Sequence, residues 1–520
     1  MTAGRFNFRR GLALIAVLLL GTGCAREEPS DLPEGKGGGG TFRVVLPGEP
    51  RSLDPNSTVD ETAQLVAANL YGKLVALDTD SRFIPDLAQS WTASEDGLAY
   101  TFTLRENVLW HDGQPFTAGD VRWTLEHLKA RPSLASEALR RITTIETPDD
   151  HTVVLRLAEP WAPLLTVLAW EGAYILPRHL GASPARPVGT GAFRFHSWDR
   201  GRSLTLEANR DFFKPGPYLD RVVYTFAGSD RALDLLLSGK ADYMVIRPSL
   251  GRLPALAVDP RVRVLTSPAD SRYYLAFNLR RPLFRDHRLR EAINRALDRP
   301  ALLERALHGY GAPGYGFYTP AVAWAYNARA LAPAFDPGRA RDLLAAALGG
   351  QAGAFEPVLL SAGIVPYGDM AREVARQLRA VGIAVRLELE PPDRWYERAV
   401  KRHDFDIALL GGSQGPDPES LNLRFGSRGL SQIMGYESAE LDAAVGEGGR
   451  QTDLSLRARA YFRAQEILAR DLPIAPLAES IRVVVCRRGV TGLPQGEGRG
   501  LVPSHDYSLV RVGPPPGGGR

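Results

Sequence analysis

Between Tyr100 and Arg105 the side chains alternate one for one, Tyr100, Phe102 and Leu104 against Thr101, Thr103 and Arg105, which is the period of a half-buried strand. Further on the period changes. Val121, Leu125 and Leu128 recur at i, i+4 and i+7 and predict an amphipathic helix. His111-Asp112-Gly113 between them reads as a turn, and Thr117 stands three residues before Asp120, the spacing of a capping box, with Phe116 and Val121 placed to staple the helix entry. The stretch is strand, turn and capped helix. His111 and its aspartates therefore read as architecture, because a proton shuttle needs an orienting partner and a reacting group that the neighbourhood does not supply.

The same alternation of periods organises the rest of the chain. Thr41 to Leu46 reads as a strand, and residues 42–205 mix short alternating strands with a few helices. From about residue 230 helix and strand take turns: Asp230 to Leu237 then Ala241 to Ile246, Asp369 to Ala380 then Ile383 to Glu390, Asp393 to Arg402 then Phe405 to Leu410. This predicts α/β lobes with largely parallel sheets. Asp336-Pro337 before "GRARDLLAAAL" and Gly349 after it mark a helix at both ends. No repeat of fixed period occurs, and residues 513–520 are expected to be disordered.

The first 23 residues break this pattern, with Arg5, Arg9 and Arg10 ahead of a mostly apolar run and then Thr22-Gly23-Cys24. That is an export signal ending at a cysteine, too short for a comfortable membrane span. Its removal lowers the formal charge from +4 to +1, so no basic surplus argues for nucleic acid. Residues 24–40 then read as that cysteine followed by a polar, glycine-rich tether. Cys486 is the other cysteine, and with Cys24 consumed no intramolecular disulfide can form. At 520 residues with 44% hydrophobic content, the chain has room for two or three cores without one.

Ligands of open α/β sheets bind outside the carboxyl ends of strands, which directs attention to "GGSQGPDPES", residues 411–420, after the strand ending at Leu410. Gly411-Gly412-Ser413-Gln414-Gly415 is a formal G-x-S-x-G, with His505 and Asp506 downstream. A nucleophile elbow needs a helix at once after the serine, whereas Gly415, Pro416 and Pro418 follow, so a serine hydrolase is only a remote alternative. Gln414 offers a donor and an acceptor to a polar solute, while Asp417 before Pro418 has the form of a helix N-cap and N1 pair. No H-E-x-x-H, C-x-x-C or Walker A motif occurs, and no metal ligand or cofactor is predicted.

Seven segments in order carry a family pattern: "SLDP" at 52–55, "IPDLAQSWTASEDGLAYTFTLRENVLWHDGQPFTAGDV" at 84–121, "PVGTGAFRF" at 187–195, "LLSGKADYMVI" at 236–246, "YYLAFNLRRPLFRDHRLREAINRALDRPALL" at 273–303, "FDPGRARDLL" at 335–344 and "VGIAVRLEL" at 381–389. The chain resembles the family 5 extracytoplasmic solute-binding proteins of ABC importers, the peptide- and nickel-binding group. The resemblance implies an α/β, two-lobed Venus flytrap of the periplasmic-binding-protein type II, cluster C kind, with an extra subdomain in lobe I. Lobe I would take residues 41–270 with the subdomain at about 56–185, lobe II residues 271–481, and the chain would return to lobe I at 482–512. Around Cys24 it resembles a lipoprotein processing site, which implies an acylated Cys24, with Gly21 where an aliphatic residue is usual.

Peptide-binding members often carry a Trp, then Asp-Tyr, then Asp-Pro in the loop after this strand, and the first Asp pairs with the ligand ammonium. By that pattern Gly411 stands at the Trp, Gln414 at the amine-binding Asp, Gly415 at the Tyr and Asp417 at the later, structural Asp. The arginine that holds the carboxylate in dipeptide binders would precede Pro366-Tyr367, where Val365 stands. The expected ligand-binding set is Gln414, Asp417, Tyr436 and Glu49. The expected protein is no enzyme but an exported, monomeric receptor anchored through Cys24, which delivers a peptide or peptide-like solute to an ABC permease. A nickel chelate or a sugar is the alternative cargo.

Overall fold

The computed structural model describes residues 39–56, 60–78, 81–131, 134–169, 172–181, 186–245, 249–349, 355–494 and 505–513. The signal, Cys24 and most of the tether lie outside them. Fifteen strands matter here, numbered in chain order: β1 Thr41–Leu46, β2 Ala88–Ala93, β3 Ala99–Leu104, β4 Ile142–Asp149, β5 Thr152–Leu157, β6 Phe193–Asp199, β7 Ser203–Ala208, β8 Arg221–Phe226, β9 Tyr243–Met244, β10 Val262–Phe277, β11 Ala312–Pro313, β12 Val358–Ala362, β13 Arg386–Glu390, β14 Ile407–Ser413 and β15 Ile474–Arg487.

Eleven of them form one sheet in the order β13-β12-β14-β10-β15-β9-β1-β8-β7-β6, with β11 pairing on β15. The long strands β10 and β15 run antiparallel from Val262 opposite Arg487 to Pro268 opposite Ile481, and resume at Arg272 opposite Glu479. Ala269, Asp270 and Ser271 thus bulge out across from Ser480. On one side of the bulge β15 pairs with β9, and on the other β10 pairs with β14 from Ser271 opposite Ser413 to Phe277 opposite Ile407. The sheet therefore has two halves that share only β10 and β15.

Each half is buried on both faces, as the period of two requires. Along β10, Leu275 and Phe277 pack on one side while Tyr274 and Ala276 pack on the other. Strands β1, β8 and β9 are mutually parallel, and so are β12, β13 and β14. The parallel expectation thus holds for these three-strand sets, whereas β6, β7 and β8 pair antiparallel at the edge of the first half. The antiparallel β10 and β15 that join the halves leave no trace in local periodicity.

Strands β2 to β5 make a separate sheet, ordered β2-β3-β5-β4, covered by helix Ala118–Ala130 around its own core of Phe102, Trp110, Phe116, Val121 and Leu125. The turn before that helix is structural. His111 Nδ1 accepts from Gly189 N at 3.1 Å and its Nε2 lies 3.0 Å from Gly191 O, so the ring ties this subdomain to the 189–191 loop. Burial depresses its pKa to about 4, consistent with a neutral imidazole that both accepts and donates. Gly189 is required there, because a Cβ would stand 1.9 Å from Leu70 O.

Other elements follow their local signals with shifted edges. Asp336 caps helix Pro337–Leu348 by accepting from Arg339 N, and Gly349 closes it at φ 54°. The helix expected over Asp393 to Arg402 is instead a short helix, Pro392–Tyr396, widening into a π turn, Glu397–Lys401. Gly513, expected to begin the disordered tail, donates its N–H to Gly489 O at 2.8 Å, and residues 514–520 lie outside the described set. Among the described residues no helix is long and apolar enough to cross a membrane.

Candidate functional site

Strand direction brings the functional loops together. Ser413, the last residue of β14, faces Ser271 in the bulge, while β9 runs alongside β15 toward Ile481, so the carboxyl ends of both parallel sets converge on the bulge. This is the end of a sheet where ligands bind. Gln414 continues the β14 pairing one step, its N–H donating to Asp270 O at 2.8 Å, and its side chain is 2% exposed with Nε2 3.1 Å from Gly412 O. Gly412 at φ 131° and Gly415 at φ 74° supply the left-handed turns of this loop.

Asp417 is held from three directions. Arg457 Nη2 lies 2.9 and 3.0 Å from its two oxygens, Glu419 N donates to Oδ1 at 2.9 Å, and Thr166 Oγ1 donates to Oδ2 at 2.9 Å. Burial pulls the Arg457 pKa down, but the charge and hydrogen bonds of Asp417 together with those of Tyr461 raise it overall. The helix after Asp417 begins at Ser420, later than the cap reading with Pro418 at N1 expected. The carboxylate makes one turn-type bond to the backbone and spends the rest on Arg457 and Thr166. Thr166 belongs to the subdomain, and Ala162 N nearby donates to Gly449 O at 2.9 Å, so these contacts bridge from the subdomain to the half that carries β14.

Two other expected site residues lie elsewhere. Tyr436 packs in the core and donates to Asp471 Oδ2 at 2.7 Å, beside the chain following β10, where Leu279 N bonds Met434 O. From Ser271 to Phe277 that is about 20 Å of strand away from the bulge, so Tyr436 is removed from the ligand set. Glu49 follows β1, but its Oε1 accepts from Trp198 Nε1 at 2.8 Å with Arg200 at 3.8 Å, which turns it toward the far strand β6.

The hydrolase alternative meets the wrong chemistry. Ser413 Oγ donates to Asp270 Oδ2 and accepts from Gly415 N at 3.1 Å. His505 is instead beside Arg482, Nε2 to Nη1 3.4 Å, and burial with that arginine depresses its pKa to about 3. Gly411, at the position of the family Trp, has no room for a side chain: a Cβ would lie 2.6 Å from Tyr273 and 3.0 Å from the Tyr367 hydroxyl. The rings of Tyr273 and Tyr367 stand edge to face at 5.5 Å and form the aromatic wall there.

Sequence reasoning missed Arg457, Thr166 and a buried pair on the long strands, Arg272 and Glu479, 3.7 Å apart. Arg272 Nη2 donates to Gly316 O, whereas its Nε and Nη1 and Glu479 Oε2 are buried without partners. Arg457 had a signal: it shares a helical face with the buried Ala460, Tyr461, Ala464 and Leu468, where a charge demands a counter-charge. Among the described residues no cluster of His, Cys, Asp and Glu could hold a metal. A surface depression of about 420 Å³ lined by Glu356, Arg379 and Ile383 lies at the opposite, amino ends of β12 and β13.

The model for bacterial extracellular solute-binding proteins, family 5 Middle, matches residues 82–431. The chain belongs to that family. This family 5 protein is 26% identical over 475 residues to the glutathione-binding protein GsiB of Escherichia coli K12, covering 85% of this chain and 89% of GsiB. Its fold matches DppA of Helicobacter pylori, solved in complex with peptide STSA, at 25% identity and a TM-score of 0.73, covering 91% of this chain and 98% of that one. AgaA of A. tumefaciens R10, solved in complex with agropinic acid, matches at 26% identity and 0.73, over 91% and 99%. The two halves of the sheet thus correspond to the two lobes of a periplasmic binding protein.

Proposed function

We propose that this family 5 protein is the extracytoplasmic receptor of an ABC importer: it takes a peptide or peptide-like solute between its lobes, closes on it and delivers it to the permease, with no covalent chemistry. The observation that carries this reading is that, among the described strands, only β10 and β15 run from one half of the sheet into the other, with a bulge where strand ends from both halves meet. Two strands can flex at a bulge without disturbing either core. The lobe boundaries fall at that bulge, with 41–270 and 482–512 in lobe I and 271–481 in lobe II. Cys24 carries the acyl anchor, and the receptor works as a monomer on the outer face of a membrane.

Gln414 is the solute-contacting residue of the loop, while Asp417 holds the loop in place through Arg457. A neutral amide at that position and a carboxylate already spent on Arg457 favour a solute that is not selected through a free amino end, which also admits a non-peptide cargo. Isothermal calorimetry against glutathione and peptides of two to five residues tests the reading. Gln414→Ala is expected to weaken the bound member about 5- to 150-fold, the cost of about 1–3 kcal/mol for an unsatisfied polar partner. Failure of every peptide in the series to bind refutes the peptide cargo. Uptake of labelled fatty acid, lost in Cys24→Ser, tests the anchor.

A further inference from the structure

Just past the bulge stands a cation that no carboxylate among the described residues pairs with. Arg482 lies in β15 just past the bulge, opposite Ser267. Alternate residues of this strand face opposite ways: Ile481, Val483 and Val485 pack with Val45, Leu233 and Leu253, whereas Val484 and Cys486 pack with Tyr243 and Tyr507. Period two puts Arg482 on the second face. That is the face on which Leu53, Leu65 and Tyr174 pack, from the part of the chain that reaches over to Asp417 through Thr166. Arg482 is half-buried there, and its polar neighbour is His505 Nε2 at 3.4 Å. His505 is itself positioned through its carbonyl, which accepts from Asn69 Nδ2 at 2.9 Å.

The contrast with the other arginines decides what this one can do. Arg457 and Arg272 are buried and each faces a carboxylate, Asp417 and Glu479. Among the described residues no Asp or Glu lies within 4.0 Å of Arg482. Arg424, the other arginine at this loop, spends Nη2 on Ser413 O. The acids around the bulge are committed: Asp270 accepts from Ser413 and Gly415, Asp417 from Arg457, Thr166 and Glu419. Glu479 keeps one unpartnered oxygen, but it is 7% exposed and faces Arg272. Half-burial without a counter-ion strengthens the pull of a guanidinium on any anion that enters, and its planar fork matches a carboxylate.

We propose that Arg482 is the receptor for a carboxylate of the solute, so that the cleft selects its cargo by an acidic group. This rests on the solute-binding reading above and deepens it: the substrate class is a carboxylated solute, with the acid lying against β15 at the crossing and the remaining polar groups toward Gln414. His505 stays neutral beside the guanidinium and adds no charge of its own.

The test uses the mature protein and a panel of matched pairs: glutathione and peptides of two to five residues, each with its methyl esters, and glucuronate with glucose as a non-peptide pair. Calorimetry is expected to find acids bound about tenfold or more tightly than their neutral partners, with that preference lost in Arg482→Gln and partly kept in Arg482→Lys. Unchanged melting midpoints show that both variants fold, and His505→Gln, which keeps Arg482, should keep the preference. Equal binding of acids and esters overturns the proposal while leaving the receptor reading standing. Loss of the preference in Arg424→Gln but not in Arg482→Gln also overturns it. Binding of glucuronate with no peptide bound supports Arg482 and overturns the peptide cargo, and binding of no member counts against both.

Discussion

Replacing Thr166 by valine tests whether the bond from the subdomain to Asp417 holds the lobes closed. Valine keeps the shape and deletes one donor, the hydroxyl 2.9 Å from Asp417 Oδ2. A hydrogen bond to a charged acceptor contributes about 1.5–3 kcal/mol, but Asp417 retains Arg457 at 2.9 and 3.0 Å and Glu419 N at 2.9 Å, so little desolvation penalty remains. The net loss from the closed state is about 1–2 kcal/mol. An open state lacks this contact and loses nothing, so the closed-to-open ratio falls about 5- to 30-fold. Fluorophores on the two lobes read that ratio by energy transfer, with and without saturating solute, and calorimetry reads the matching fall in affinity. Thr166→Ser keeps the donor and should behave as wild type. If valine and serine variants close and bind alike, or if valine lowers the unfolding free energy as much as the affinity, the bond is not a closure contact.

Breaking the buried pair should cost far more than the loss of a helix cap: Arg457→Met or Asp417→Ala leaves a desolvated charge and lowers unfolding free energy by about 3–5 kcal/mol, measured by urea denaturation. His111, with its pKa depressed to about 4, binds a proton less readily folded than unfolded, where the value is about 6.5. Its contribution to stability is therefore present above pH 6.5 and lost as pH falls toward 4, about 1–3 kcal/mol in all, and His111→Gln should flatten that part of the stability profile. Gly189→Ala drives a Cβ to 1.9 Å from Leu70 O and should cost about 3 kcal/mol or abolish folding, visible as loss of the melting transition.

Local chemistry made part of this structure legible in advance. Strand Ala99–Leu104 alternates as its side chains alternate, Asp336 and Gly349 close a helix because one side chain can accept an amide and the other backbone can turn left-handed, and the HDG turn could be read as scaffold. The candidate site was less legible because its contacts are distant in sequence. Asp417 meets Arg457 and Thr166, and no periodicity near residue 417 contains either. Its carboxylate was expected to act chiefly as a helix cap, but the stronger guanidinium partner claims both oxygens. Tyr436 lies at the wrong end of β10, a distinction that depends on strand register rather than residue type.

The crossing strands also set when the chain can fold. Strand β15 follows every other strand of its sheet in the chain, yet it lies in the middle of the sheet between β9 and β10. Until it arrives, each lobe ends in an unpaired edge, and β10 exposes 16 residues of one. Neither lobe can therefore complete its sheet during synthesis, and pairing between such distant segments is slow to nucleate. A nascent chain stopped before residue 474 should be a substrate for chaperones and proteases rather than a folded intermediate, which keeps the polypeptide extended for as long as a translocation channel needs it so.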